Sequence, residues 1–370
     1  MNHREFVVFS LAVVGDLDWH NWLCHSPIGI GCPFGGPEHT MTSRAAGSLP
    51  VIAPKADARV DKSRPHLEDV TIKRGDRIVA GFKAMRPHQW AKNSLVFVPP
   101  LLAGKMFDLS ALSGTILAFV AFSLVASGVY VINDLTDLAD DRGHWTKRHR
   151  PLASGALQVS HGVGLSSGLL ILGVVLGTKA GSGVVACLLA YVVASVAYSL
   201  CLKRIILVDV LTLAGLFTMR LLTGTIAANA VLSPWLMTVS MFFFLSLSLV
   251  KRYTELRWTA EEGRTRISGR SYLTADMPIV LSLGCASLVA SVIVFVLYLT
   301  QEAFVAAQLA APKLLWVFPP GVFLIGCRLW VLSGRGDLHD DPVAFLVKDV
   351  ASLAILGALT VVFAVALLGW

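Results

Sequence analysis

From about Lys83 onward the chain is a succession of apolar runs, most of them close to twenty residues long. About 20 apolar residues is the length a helix needs to cross roughly 30 Å of hydrocarbon. Nine candidate spans follow: 91–104, 110–132, 161–178, 182–200, 205–227, 233–250, 277–299, 313–332 and 347–369. The first is short and carries Pro99-Pro100, which removes two backbone donors from its middle. Such breaks survive in a membrane where neighbouring helices or a cavity satisfy the freed groups. The expectation is an all-α membrane protein of about nine transmembrane helices.

Composition agrees. The sequence is 55% hydrophobic and 15% charged, where a soluble domain carries roughly 25% charged residues. Soluble and disordered classes are thereby excluded. The net charge of +7 does not point to nucleic acid, because the bases sit in short loops between apolar runs. With the N-terminal side inside, the inner loops hold Arg142, Lys147, Arg148, Arg150, Lys203, Arg204, Lys251, Arg252, Arg257, Arg264, Arg266, Arg270 and Arg335. The outer loops hold only Lys105, Lys179 and Lys313. Thirteen against three is a positive-inside bias that places the N-terminus and two long polar loops, 133–160 and 251–276, in the cytoplasm. The lipid bilayer, here the plasma (inner) membrane, is the first partner implied.

Residues 1–75 differ from the rest. They are rich in Pro, Gly, Ser and His and show no sustained periodicity, as in a poorly ordered extension. The apolar stretch Phe6–Val14 lacks the basic start and cleavage site of a signal peptide. Of the six cysteines, Cys187, Cys201, Cys285 and Cys327 lie in apolar runs and behave as small hydrophobes. Cys24 and Cys32 have no second pair nearby, so the cysteines build no redox framework. The membrane domain is taken as residues 76–370.

Chemistry concentrates where the second span ends. Asn133, Asp137 and Asp141 are spaced by four and stack on one face if the helix continues; Asp134 lies one i,i+3 step from Asp137. Clustered carboxylates repel one another unless a cation sits among them. Mg²⁺ is the usual cation, held by one or two carboxylates and bridging to substrate phosphates. Arg142, Lys147, Arg148, His149 and Arg150 follow directly. Acids for a metal beside bases for phosphate oxygens make a seat for an anionic diphosphate. A solvated loop of balanced charge is the plainer alternative.

The pattern N-D-x-x-D-x-x-x-D, followed by K-R-x-R-P-L-A-S-G from Lys147 and preceded by Arg86-Pro87-His88-Gln89-Trp90-Ala91-Lys92-Asn93, resembles the first aspartate-rich motif of the UbiA superfamily of intramembrane prenyltransferases. The resemblance covers about residues 80–370. It implies nine helices around a central cavity open to the cytoplasmic side, with Mg²⁺ and a diphosphate donor at the mouth. By resemblance Asn133, Asp134, Asp137 and Asp141 form that site, with Asp134, Asp137 and Asp141 on the metal and Lys92 and Asn93 nearby.

Aromatic prenyltransferases of the superfamily carry a second aspartate-rich motif after the sixth span. Lys251-Arg252-Tyr253-Thr254-Glu255-Leu256-Arg257 stands there instead. This stretch, with Tyr198-Ser199-Leu200-x-Leu202-Lys203 upstream, is similar to the decaprenyl-phosphate phosphoribosyltransferase branch. That branch implies a polyprenyl phosphate acceptor and a phosphoribosyl diphosphate donor. On this reading Asp137 and Asp141 hold the metal, and Lys147, Arg148 and Arg150 stabilise the leaving diphosphate. Lys203, Lys251 and Arg252 then position the lipid phosphate, Glu255 meets ribose hydroxyls, and Tyr198 lies beside the substrate. Prenyl transfer to an aromatic or other small acceptor is the second reading, and a non-catalytic lipid carrier the third. Two charges also fall inside the fifth span. Asp209 lies five residues past Arg204, as at an interface; Arg220 is deeper, and charges at that depth face cavities. Nothing in the sequence sets an oligomeric state.

Overall fold

The computed structural model describes residues 74–143, 147–303, 311–338, 341–346 and 348–368. The expected 1–75 extension and the pair Cys24 and Cys32 lie outside them, save for the backbone at its last two residues. Among the described residues there is no strand, only one isolated antiparallel bridge between Arg266 and Leu273. The helices are α1 (Arg74–Met85), α2 (Val98–Leu102), α3 (Leu109–Thr136), α4 (Leu138–Gly143), α5 (Val159–Ala180) and α6 (Ser182–Leu200). After these come α7 (Val208–Ala227), α8 (Pro234–Glu261), α9 (Met277–Tyr298), α10 (Phe318–Arg335), α11 (Pro342–Leu346) and α12 (Val350–Leu368).

Local chemistry sets several boundaries. Asp108 caps α3 by accepting from the Ser110 amide at 2.9 Å, and Ser233 caps α8 by accepting from Leu236 at 3.0 Å, with Pro234 in the first turn. Gly336, at φ 90°, ends α10 by donating to the Leu332 carbonyl at 3.0 Å.

Among the described residues eight helices are long and apolar enough to cross a membrane. The first expected span, 91–104, folds differently: a 3-10 helix from Pro87 to Phe97, the short α2, and a 3-10 turn at Lys105–Phe107. It still runs the length of the bundle. Arg86 at its start pairs with Asp134 near the end of α3, while Lys105 at its finish donates to the Asn229 carbonyl beyond the far end of α7. The prolines remove donors a regular helix would use, and the segment lies against α7 so closely that a Cβ on Gly224 would sit 1.9 Å from the Val96 carbonyl oxygen.

The sixth span also differs. α8 does not stop at Val250 but continues to Glu261, so Lys251, Arg252 and Glu255 lie on a helix rather than in a loop. Small residues let the helices approach. On α5, a Cβ at Gly173 would meet the Ala121 carbonyl of α3 at 2.9 Å. Two apolar clusters result. One joins Val96 to Phe122, Val125, Leu188 and Tyr191; the other joins α7 to α12 around Leu249, Leu288, Leu329 and Trp330.

Candidate functional site

Most of the expected polar residues lie at the end of the bundle where α3 stops, while Asn93 and Arg220 sit deeper, Asn93 against Ser123 in the middle of α3. Asp137 follows the last residue of α3 and donates its amide to the Asn133 carbonyl at 3.0 Å. Asp141 donates likewise to Asp137 at 2.8 Å. The i→i+4 pattern therefore carries through into α4, and the acids occupy successive turns as their spacing requires. Asp134 and Asp141 are buried, whereas Asp140 is exposed.

Each acid faces a base from elsewhere in the chain. Asp134 Oδ1 takes Arg86 at 2.5 Å and Arg150 at 3.1 Å, and Arg150 also reaches Asp141 Oδ2 at 2.6 Å. Asp137 pairs with Lys203 at 3.2 Å. Asn133 Oδ1 accepts from the Ser199 hydroxyl at 2.7 Å. Lys147 and Arg148 stand exposed on a short turn beside them. Among the described residues no three His, Cys, Asp or Glu side chains are grouped to hold a metal by themselves. Asp134 Oδ2 is nevertheless buried without a hydrogen-bond partner, and an unpaired buried carboxylate oxygen is costly. One or two carboxylates are what Mg²⁺ takes from protein when phosphates and water complete its shell. The donor set fits such an ion, not an all-protein cage.

A second network lies beside the first. Asp209 of α7 is fully buried rather than interfacial. Arg252 of α8, also fully buried, brings Nη2 to 2.9 Å from Asp209 Oδ2. That contact is an ion pair by distance but lacks hydrogen-bond direction, so Nη2 and Nε donate to nothing. Tyr272 donates to Asp209 Oδ1 at 2.6 Å and accepts from the Leu207 amide at 2.9 Å. Burial first, then the bond to Asp209, pushes the Tyr272 hydroxyl pKa above its ordinary value. Arg270 joins Tyr198 at 3.1 Å to Asp209 at 3.4 Å and Glu255 at 3.7 Å; Arg252 also pairs with Glu255. Arg252, expected to hold a phosphate, is thus occupied inside the protein, while Glu255 keeps 26% of its side chain exposed.

Of the third group, Lys92, Asn93, Lys251 and Arg220 are expected from the sequence and Asp341 is not. Asp341, between α10 and α11, receives Lys92 at 3.1 Å and approaches Lys251 at 3.5 Å, both at Oδ2. Burial pushes its carboxyl pKa up, but Lys251 and Lys92 outweigh it and hold the group below the ordinary aspartate value. Next to it Arg220 of α7 is buried among the Phe122, Tyr191 and Phe217 rings at 5.0, 5.2 and 5.2 Å. Arg220 Nε donates to Asn93 Oδ1 at 2.9 Å, and Asn93 donates in turn to Ser123 at 3.0 Å. Arg86, Arg270, Tyr272 and Asp341 are the members that spacing could not find. Lys92 and Asp341 are 249 residues apart, and neither lies in a periodic pattern with the other.

Comparison with known proteins places these features. The sequence pattern of the UbiA prenyltransferase family matches residues 96–352. An uncharacterized protein of Sinorhizobium fredii is 40% identical over 270 residues, 72% of this chain; the chain spans 52% of that relative's length. Nodulation protein NoeC of Azorhizobium caulinodans is 38% identical over 76% of this chain and 92% of its own. Decaprenyl-phosphate phosphoribosyltransferase of Corynebacterium glutamicum is 31% identical over 76% and 86%. A UbiA homolog from Archaeoglobus fulgidus, solved bound to DMAPP and Mg²⁺, superposes with a TM-score of 0.58 at 16% identity. It covers 77% of this chain and 99% of its own, a likeness of fold.

Proposed function

Because the chain belongs to the UbiA prenyltransferase family, a family of multi-pass membrane transferases, we propose that it transfers phosphoribosyl from phosphoribosyl diphosphate to a polyprenyl phosphate. The observation that carries this is the state of α8. Its one acid between Lys251 and Arg257 is Glu255, and Glu255 is taken up by Arg252 and Arg270. Among the described residues this stretch of α8 offers no second carboxylate pair for a second metal, and Lys251 adds a cation where an anionic acceptor would need one. The similarity to decaprenyl-phosphate phosphoribosyltransferases supports the same choice.

In this reading Asp134, Asp137 and Asp141 hold Mg²⁺, which when bound neutralises charge on the donor diphosphate. Arg150, Arg148 and Lys147 take diphosphate oxygens and stabilise the charge that grows as it leaves. Asn133 and Lys203 orient the donor from the Asp137 side, and Lys92 and Asn93 close the opposite wall. An oxygen of the lipid phosphate, positioned by Lys251, forms a bond to ribosyl C1. The C1–oxygen bond to diphosphate breaks, and its electron pair leaves with the diphosphate. Arg252 acts by fixing Asp209 and Glu255, leaving the exposed edge of Glu255 and the Tyr198 hydroxyl for ribose. In this reading the base-rich end faces the cytoplasm, as the positive-inside bias favours, and the membrane is the plasma (inner) membrane.

The test is transfer by purified protein from labelled phosphoribosyl diphosphate to a polyprenyl phosphate with Mg²⁺. A labelled lipid-soluble product that disappears with chelator is expected. Absence of that product, with turnover instead of a prenyl diphosphate and an aromatic acceptor, would refute the donor and acceptor named here.

A further inference from the structure

Bases outnumber acids sharply in one place. Lys92 and Lys251 converge on a single oxygen of Asp341, at 3.1 and 3.5 Å. Arg220, 4% exposed, has no carboxylate within 4.0 Å among the described residues. Lys92 Nζ lies 5.9 Å, and the Arg220 guanidinium 5.2 Å, from the centre of the same Phe217 ring. The Lys92 ammonium is repelled by both Lys251 and Arg220. Three cations against one carboxylate leave an excess of about two positive charges in a region where exposure falls to 14% at Lys92. Unneutralised charge at such depth is costly and marks a site for a counter-ion. A phosphate monoester carries about 1.5 to 2 negative charges near neutrality, which matches the excess.

We propose that Lys92 and Lys251 form the seat of the acceptor lipid's phosphate, with Arg220, whose guanidinium donates to Asn93, the Leu216 carbonyl and the Tyr191 hydroxyl, adding positive potential behind it, and that Asp341 is a built-in anion whose place between the lysines the phosphate takes. The inference rests on the transfer reading above for the identity of the acceptor, but it is a statement about binding. It moves the acceptor phosphate away from Lys203, which faces Asp137, and from Arg252, which is enclosed with Asp209. Two lysines meeting at one carboxylate oxygen have the geometry that receives one phosphate oxygen. The rings around Arg220 supply an apolar wall on which the first prenyl unit would lie.

The experiment measures equilibrium binding of a polyprenyl phosphate to the full chain in detergent, with no donor present. The polyprenol of equal length and phosphoribosyl diphosphate with Mg²⁺ serve as comparison ligands. Lys251→Met and Arg220→Met are expected to weaken polyprenyl phosphate binding by roughly tenfold or more while leaving both comparison ligands unchanged. Asp341→Asn is expected to tighten it by about threefold or more, because it empties a seat that is otherwise occupied. A purely structural Asp341 would give the opposite sign. Lys251 is 40% exposed, so Lys251→Met and Asp341→Asn carry the test if Arg220→Met does not fold. Unchanged or weaker binding by Asp341→Asn, equal loss of polyprenol binding by Lys251→Met, or no binding of polyprenyl phosphate by the wild type overturns the seat. The expected binding pattern without transfer from phosphoribosyl diphosphate would refute the reaction and leave the seat standing.

Discussion

Replacing Gly224 by alanine tests whether the broken first pass is held in place by α7. The new Cβ would lie 1.9 Å from the Val96 carbonyl oxygen, 2.7 Å from its carbon and 3.0 Å from its Cα. All three are backbone atoms, so no rotamer change relieves the clash. Reaching even a 3.0 Å contact with the oxygen requires the two backbones to part by at least 1.1 Å. The segment that must move carries Lys92 and Asn93, which reach Asp341 and Arg220 at 3.1 and 2.9 Å. Overpacking of this kind costs about 1–3 kcal/mol, and a 1 Å misplacement near a reacting centre costs on the order of 100-fold in rate. Gly224→Ala is therefore expected to lower kcat/KM by about 100-fold, with a loss of melting temperature far too small to explain it. Gly215→Ala on the same helix is the control, because a Cβ there meets nothing within 4 Å. Turnover in detergent and thermal unfolding would be measured on both. Wild-type kcat/KM in Gly224→Ala, or an equal loss in Gly215→Ala, would refute the reasoning.

Three further outcomes are expected. Asp137→Asn, at a half-buried position paired with Lys203 alone among the described residues, should abolish transfer while leaving the melting temperature near wild type; retained turnover would remove Asp137 from the metal site. Asp209→Asn leaves the buried Arg252 with Glu255 in place of two carboxylates and takes the charged acceptor from Tyr272 and Arg270 as well, whereas Tyr272→Phe removes its bond to Asp209 and its bond from the Leu207 amide; with about 1.5–3 kcal/mol for a bond to a charged group and about 1 kcal/mol for a neutral one, chemical unfolding should show Asp209→Asn as the larger loss. The Arg328 hydrogen bonds, followed by Ser352, hold the Asp349 carboxyl down to about 2 from 3.8. Because the folded value is the lower one, the pair's contribution is fully present above about pH 4 and fades as pH falls toward 2. The loss of melting temperature in Asp349→Asn should accordingly be constant from pH 5 to 8 and shrink only below about pH 4.

What the sequence disclosed follows from what is periodic in it. Apolar runs of membrane length located eight helices, and the spacing of Asn133, Asp137 and Asp141 was readable because the helical hydrogen bonds continue across Asp137. The end of α8 was missed because reading stopped at the first charge, Lys251. Leu249, Arg252, Leu256 and Thr259, at i, i+3, i+7 and i+10, mark a buried face that runs on through it. Asp209 looked interfacial by its distance from Arg204. It is enclosed because Arg252 and Tyr272, 43 and 63 residues further along, fold over it. No local pattern reports a partner that far away. The same holds for Asp341, whose lysines lie 249 and 90 residues earlier in the chain. Pro99-Pro100 signalled a broken pass, but only packing shows that Gly224 admits it.

The internal ion pairs also bear on how the metal would be taken up. Arg150 spans Asp134 and Asp141, at 3.1 and 2.6 Å, and so occupies both of the buried acids assigned to Mg²⁺. Where a base already satisfies the ligands, a bare cation must displace it. A diphosphate arriving with the cation offers Arg150 a replacement partner. Metal and donor should then bind with positive coupling, and the coupling must be reciprocal. Arg150→Met gives the argument a sign. Freeing Asp141, and leaving Asp134 with Arg86 alone of its two arginines, should tighten the binding of Mg²⁺ alone, measured by calorimetry on the purified chain, while turnover falls because the leaving diphosphate loses its cation. If Arg150 instead merely held the loop in position, Arg150→Met would weaken Mg²⁺ and lower turnover together, and the exchange of partners would be wrong.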